Sequence, residues 1–192
     1  MNQIRQINTD CRLALLWMHE FVKENPAPTK RETEKNGTLY LLNLLFHKKN
    51  PKLEYHENGK PFVKDLPGGI SISHSHDLLA IFADERNTHT GLDVELIRDK
   101  VLKIRHKFLS EKEKSFIPEK NVLMHIMAWC VKETMYKIHS ERKVEFIEHL
   151  LIEPFKESDE IIQATCCMDN VKFTKQLKIE QMDEYLISYP IN

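Results

Sequence analysis

No apolar run in this 192-residue chain comes near the roughly 20 residues that a membrane-spanning helix requires, so no membrane association is expected. The opening stretch MNQIRQINTDCRLALLWMHEF holds one short apolar run and no small-residue cleavage site, which predicts no secretory signal. An excess of either charge is missing too. Lys and Arg number 28 against 29 Asp and Glu, a net charge of −1, so no basic field points to nucleic acid as a partner. The four cysteines, Cys11, Cys130, Cys166 and Cys167, make no C-x-x-C pair, and the adjacent two cannot easily bridge to each other. Reduced thiols and a cytoplasmic location are the expectation. Internal repeats, low-complexity tracts and long linkers are absent as well. What is there is an ordinary globular composition, long enough to bury a core as one domain or as two small halves.

The run RLALLWMH (12–19) is continuously apolar, and its period does not separate a buried strand from a helix. Residues 29–49 read as a helix, with charged first turns and then Leu39, Leu42, Leu45 and Phe46 at helical spacing, although Gly37 falls in the middle. LEYHENGKPFV (53–63) predicts two short strands around an Asn-Gly turn. Strands are expected at Ile70–Ser75, Leu78–Asp84 and Thr90–Ile97, followed by a charged amphipathic stretch over 98–117. Residues 121–139 form the clearest long helix. EIIQATCCM, VKFTKQLKIEQM and EYLISYPI then predict an antiparallel meander. Helix, strands, helix, strands is the order of an α+β protein made of two halves of similar plan, 1–88 and 89–192.

Three stretches carry candidate chemistry. In GLDVE (91–95) a strand would send Asp93 and Glu95 to one face, where like charges repel unless water or a cation relieves them. In WCVKETMYK (129–137) a helix would align Trp129, Glu133 and Lys137 along one face at four-residue steps. In SISHSH (71–76), Ser71 and Ser73 oppose Ile70 and Ile72, and His74 stands where the strand should end. Hydroxyls, an imidazole and turn amides there suit a phosphate. Taken alone, the first two stretches read more readily as solvated surface, and the third reads equally as a polar strand end. A zinc site at His74 and His76 fits neither H-E-x-x-H nor a Cys/His finger. Together, three carboxylates with a lysine one helical turn beyond suit Mg²⁺, which takes oxygen ligands and commonly shares them with substrate phosphates.

GKP, ISISHS, GLDVE, FLSEKE and WCVKETMYK, in this order and at these separations, resemble the 4′-phosphopantetheinyl transferase superfamily. G-x-D-x-E with W-x-x-K-E-x-x-x-K is the family's signature, and the resemblance runs from about Lys30 to Phe155. The length is similar to that of the larger, monomeric surfactin-type members. The resemblance implies two α+β halves related by pseudo-twofold symmetry, with coenzyme A in the cleft between them, and transfer of the phosphopantetheine arm to a serine of an apo acyl or peptidyl carrier protein, with release of adenosine 3′,5′-bisphosphate. It assigns Asp93, Glu95 and Glu133 to the metal, and Lys60, Pro61, Ser73 and His74 to coenzyme A. His74 would face the 3′-phosphate and Lys137 a pyrophosphate oxygen. Asp93, Glu133 and Lys137 form the expected catalytic set, with Glu133 the base for the serine hydroxyl.

Relatives often carry an Arg in the first long helix where this chain has Leu39, with Lys30 and Arg31 as the compensating cations. After the second motif they usually have a Gly-containing turn and an Asp-Phe pair. Here Ser140 and Glu145-Phe146 stand in those places. The basic, partly apolar segment Arg98–Lys107 is the expected dock for an acidic carrier protein. The alternatives are a family member that binds coenzyme A or carrier without transfer, and a non-enzymatic adaptor.

Overall fold

The apolar run near the start resolves into a strand that passes straight into a helix. In the computed structural model, which describes residues 2–47, 50–140, 144–168 and 171–191, β1 (Asn2–Gln6) pairs with β2 (Cys11–Trp17), and α1 (Met18–Glu24) follows without a break. Asp77 makes the switch possible, since its carbonyl accepts the Met18 N–H at 2.7 Å and its carboxylate accepts the His19 N–H at 2.6 Å. The chain divides into two compact units, Met1–Leu92 and Asp93–Asn192, each mixed α and β.

In the first unit α2 (Lys30–Phe46) is capped by Thr29, whose hydroxyl accepts the Glu32 N–H at 3.2 Å and donates to the Glu32 carboxylate at 2.8 Å. Lys48 and Lys49, included in the expected helix, lie outside the described residues. The hairpin forms as expected from β3 (Leu53–Tyr55) and β4 (Pro61–Val63), with Gly59 of the Asn-Gly turn at φ 88°. β5 (Gly69–Ser75) and β6 (Leu78–Asp84) complete an antiparallel sheet in the order β1-β2-β6-β5. Leu41, Leu42 and Leu45 of α2 bury against Ala14, Leu16, Leu79 and Ile81, each leucine contributing about 1.5–3 kcal/mol. Gly37 is what lets the helix sit so close. A Cβ there would meet Leu16, Leu79 and Met18 side-chain carbons at 3.2 Å.

The second unit begins with β7 (Asp93–Leu96), shorter than the expected Thr90–Ile97. Its partner's register pairs Asp93 with Ser188, so continuing it would set Gly91 opposite Pro190, which has no N–H to give. The 98–117 stretch breaks into α3 (Lys100–Ile104), a 3-10 turn at Arg105–Lys107 and α4 (Glu111–Lys114). α5 (Val122–His139) is capped by Asn121, whose side chain accepts the Met124 N–H at 3.0 Å, and it ends on Ser140 at φ 60°. β8 (Leu150–Ile152), β9 (Ile161–Met168), β10 (Val171–Met182) and β11 (Tyr185–Pro190) give an antiparallel sheet ordered β7-β11-β10-β9-β8, containing the expected meander. Met127, Val131, Met135 and Ile138 of α5 bury on Ile162, Ala164, Leu177 and Leu186. Among the described residues no helix is long and apolar enough to cross a membrane, and all four cysteines are free thiols.

Candidate functional site

Helix α5 runs counter to β7. Trp129 Nε1, on its earlier turn, donates to Glu95 Oε1 at 2.7 Å. Two turns later, Lys137 Nζ donates to Asp93 Oδ1 at 2.9 Å. Glu133 stands between them on the same helix face. The two motifs of the sequence therefore meet within the second unit, with Asp93 buried and Glu95, Glu133 and Lys137 half-buried. The cation that sits beside Asp93 is the Lys137 ammonium, where the resemblance had assigned that lysine to a pyrophosphate oxygen.

The cluster shares one electric field. Burial, then the negative charge of Asp93, pushes Glu95 up to about 7, against the Trp129 hydrogen bond and the charges of Lys137 and Arg98. Burial and Asp93 raise Glu133 to about 7 as well, with Lys137 opposing. Beneath them, burial drives the Cys130 thiol well above its ordinary value, and its Sγ lies 3.5 Å from the Asp93 carbonyl oxygen. Among the described residues no three His, Cys, Asp or Glu side chains converge closely enough to hold a metal ion. The donor chemistry nonetheless suits a hard divalent cation: three carboxylates share one helix–strand face, and burial first, then the charge of Asp93, raises two of them to about 7.

A sign follows for pH. Glu95 and Glu133 titrate near 7 in the fold against 4.5 for a free carboxyl, so between those values the native chain holds more protons than the unfolded one. Stability from these two groups should fall as pH rises from about 4.5 to 7 and then level off. A divalent cation bound here at pH 6.5 is expected to release protons. Calorimetric titration with MgCl₂ in two buffers of different ionisation enthalpy reads this directly. Heats that differ between buffers at pH 6.5 and agree at pH 8.5 are expected, and buffer-independent heats at both would overturn the assignment.

Directly behind this face lies a second polar centre that sequence reading missed. Lys132, next to Glu133 but turned inward, is fully buried. Its ammonium donates to the Phe108 carbonyl at 2.6 Å, Glu113 Oε2 at 2.8 Å and the Phe146 carbonyl at 2.9 Å. Glu113, also buried, accepts the Ile152 N–H at 3.0 Å and closes a capping box with Ser110. Lysine reads as surface in a sequence. The available signal was that FLSEKE ends on Glu113 and WCVKE contains Lys132.

In the first unit the expected coenzyme A residues do not share one face. Strand β5 continues through His74 to Ser75, so Ser73 is buried on one side and His74 is exposed on the other. His74 Nε2 lies 3.2 Å from Glu34 Oε1, and Lys30 Nζ lies 3.7 Å from that oxygen. Glu34 therefore joins two of the assigned residues. Arg31 is exposed beside Lys30 on the first turn of α2. Lys60 and Pro61 close the β3–β4 hairpin, and burial lowers the Lys60 ammonium to about 8. His74 and His76 are both exposed and belong to no metal-holding group among the described residues.

The segment Arg98–Lys107 is only partly a surface. Val101 is buried in the second unit's core, and Leu102 and Ile104 pack against it. Arg105 donates to the Glu119 carbonyl at 2.8 Å and pairs with its carboxylate. Arg98, Lys100, Lys103 and Lys107 are the exposed cations. Comparisons with protein-family models and with curated proteins yielded no match to this chain.

Proposed function

We propose that the chain is a 4′-phosphopantetheinyl transferase that moves the phosphopantetheine arm of coenzyme A to a serine of an acyl or peptidyl carrier protein. The observation that carries this reading is the meeting of GLDVE and WCVKETMYK in one cluster, with Trp129 on Glu95 and Lys137 on Asp93. A long helix laid on an antiparallel sheet in each unit also supports the two-half family plan.

Asp93, Glu95 and Glu133 would hold Mg²⁺, which supplies charge stabilisation to the pyrophosphate as its P–O bond breaks. Glu133, with its carboxyl near 7, is poised to accept the serine proton at neutral pH. The serine oxygen forms the new bond to phosphorus, and adenosine 3′,5′-bisphosphate leaves with the electron pair. Trp129 holds one oxygen of Glu95 in place, and Lys137 shields Asp93 or turns its ammonium to the substrate's phosphate. Lys60, Pro61, Ser73, His74, Lys30 and Arg31 remain assigned to coenzyme A by resemblance.

Incubation with coenzyme A, Mg²⁺ and a panel of apo carrier proteins, read by intact mass, tests the reading. Gain of one phosphopantetheine group on a carrier is expected, and a panel left wholly unmodified would overturn it. One observation favours the second reading, a family member that binds without transfer. Glu34 places a carboxylate on His74 and Lys30, where the resemblance expects the 3′-phosphate. A thermal-shift scan with coenzyme A, read beside the transfer assay, identifies that case: the melting temperature rises while every carrier stays unmodified, whereas an adaptor shows neither response.

Docking of an acidic carrier would use Lys100, Lys103 and Lys107. Charge reversal at Lys103 and Lys107 together is expected to raise KM for carrier several-fold at low salt and to leave coenzyme A binding unchanged. The effect should shrink as salt rises, because exposed charges are screened within about 8 Å at physiological ionic strength. An unchanged KM at low salt would move the dock elsewhere.

A further inference from the structure

We propose that Lys132 is a positioning residue for the acidic cluster, acting through an aromatic clamp on Trp129. The proposal rests on the transferase reading for its role and on geometry for its mechanism. Each of the three ammonium protons of Lys132 has an acceptor, and the acceptors come from three separate places in the chain: the Phe108 carbonyl before α4, the Glu113 carboxylate within it, and the Phe146 carbonyl before β8. A buried ammonium so saturated is costly to displace, because each acceptor would be left without a donor in an interior that offers no water.

The two carbonyl acceptors belong to the residues whose rings hold Trp129. The Phe108 ring meets the indole edge-on with centroids 5.0 Å apart, and the Phe146 ring stacks on it at 5.4 Å and 22°. Phe146 reaches Tyr136 as well, at 5.7 Å. Lys132 therefore fixes the backbone of both clamp residues from inside the helix, and the clamp fixes the indole on the adjoining face. The indole N–H in turn holds Glu95 Oε1 at 2.7 Å. The path from Lys132 to Glu95 runs through two main-chain hydrogen bonds, two ring contacts and one side-chain hydrogen bond. Partners that orient a ligating carboxylate typically matter for metal affinity by about 10–100-fold when removed.

The test uses the full chain carrying Trp17→Phe, which leaves Trp129 as the single tryptophan of the original two. Lys132→Met with Glu113→Gln removes both charges of the buried pair together, and Phe146→Leu removes one jaw of the clamp while keeping its carbonyl. The readouts are Trp129 emission with and without MgCl₂, the Mg²⁺ concentration at half-maximal transfer, and the melting temperature. For the double variant, a shifted Trp129 emission and a Mg²⁺ midpoint raised about tenfold are expected, with KM for coenzyme A little changed. Phe146→Leu should give a smaller shift in the same direction at a near-normal melting temperature. Folded variants with the parent's emission and the parent's Mg²⁺ midpoint would overturn the proposal. Should the parent itself transfer nothing, the transferase reading fails on that result. The clamp is then judged by emission alone, where a parent-like spectrum in both variants overturns it and a shift in both sustains it.

Discussion

Glu133→Gln is expected to lower phosphopantetheine transfer by roughly a hundredfold or more, the scale of a lost general base, while the melting temperature holds or rises. The amide keeps the side chain's shape and gives up both the charge for the metal and the site for the serine proton. It also removes a carboxyl that burial and Asp93 hold near 7. The stability gain should therefore appear at pH 8, where the parent must keep that carboxylate ionised, and vanish at pH 4.5. A surface ion pair between Glu133 and Lys137 would make a different prediction, a loss of only about 0.2–0.5 kcal/mol and no loss of turnover. Lys137 donates to Asp93, and its charge lowers both Glu95 and Glu133, so Lys137→Ala should push both higher still. Turnover and melting temperature measured on the same two variants decide between these accounts. Near-normal turnover by Glu133→Gln at saturating Mg²⁺ would sink the catalytic assignment.

Glu113→Ala should be the most damaging single change to stability, at about 3–5 kcal/mol, because it leaves the Lys132 ammonium buried without a countercharge. For a chain of this size that corresponds to a fall in melting temperature of about 10 °C. The same substitution uncaps α4 at Ser110 and frees the Ile152 N–H, so three elements loosen together. Lys132→Met with Glu113→Gln should lose far less than the single change, since no unpaired charge remains in the interior. Equilibrium denaturation of the single and double variants provides the comparison. A single variant as stable as the parent would show that the pair does not hold these elements.

What could be read from the sequence depended on how much of the physics was local. Helix α5, the β3–β4 hairpin and strands β5 and β6 follow from apolar spacing and the Asn-Gly turn, and the structure has all of them. β1 was invisible because NQIRQ offers no alternation, being an edge strand with mostly polar side chains. The start of α1 at Met18 depends on Asp77, which is remote in sequence. The 98–117 stretch reads as one amphipathic run and folds as three short pieces, because Ser110 caps a new helix inside it. At the site, the motifs placed Asp93, Glu95, Glu133 and Lys137 together, but motif spacing says nothing of partners. The Trp129–Glu95 bond, the inward turn of Lys132 and the Glu34 carboxylate beside His74 all arise from packing.

Gly37 has a consequence for how the first unit comes apart. A glycine in the middle of a helix costs about 1 kcal/mol relative to alanine, and in proteins most helical stability comes from packing of the apolar face rather than from propensity. α2 therefore draws its order from the leucines that it lays on β2 and β6, with Gly37 so close to the sheet that a Cβ there would crowd Leu16, Leu79 and Met18 at 3.2 Å. Helix and sheet in that unit must then open as one cooperative block, with the amides of the helix interior exchanging with solvent at the same rate as those of the strands beneath them.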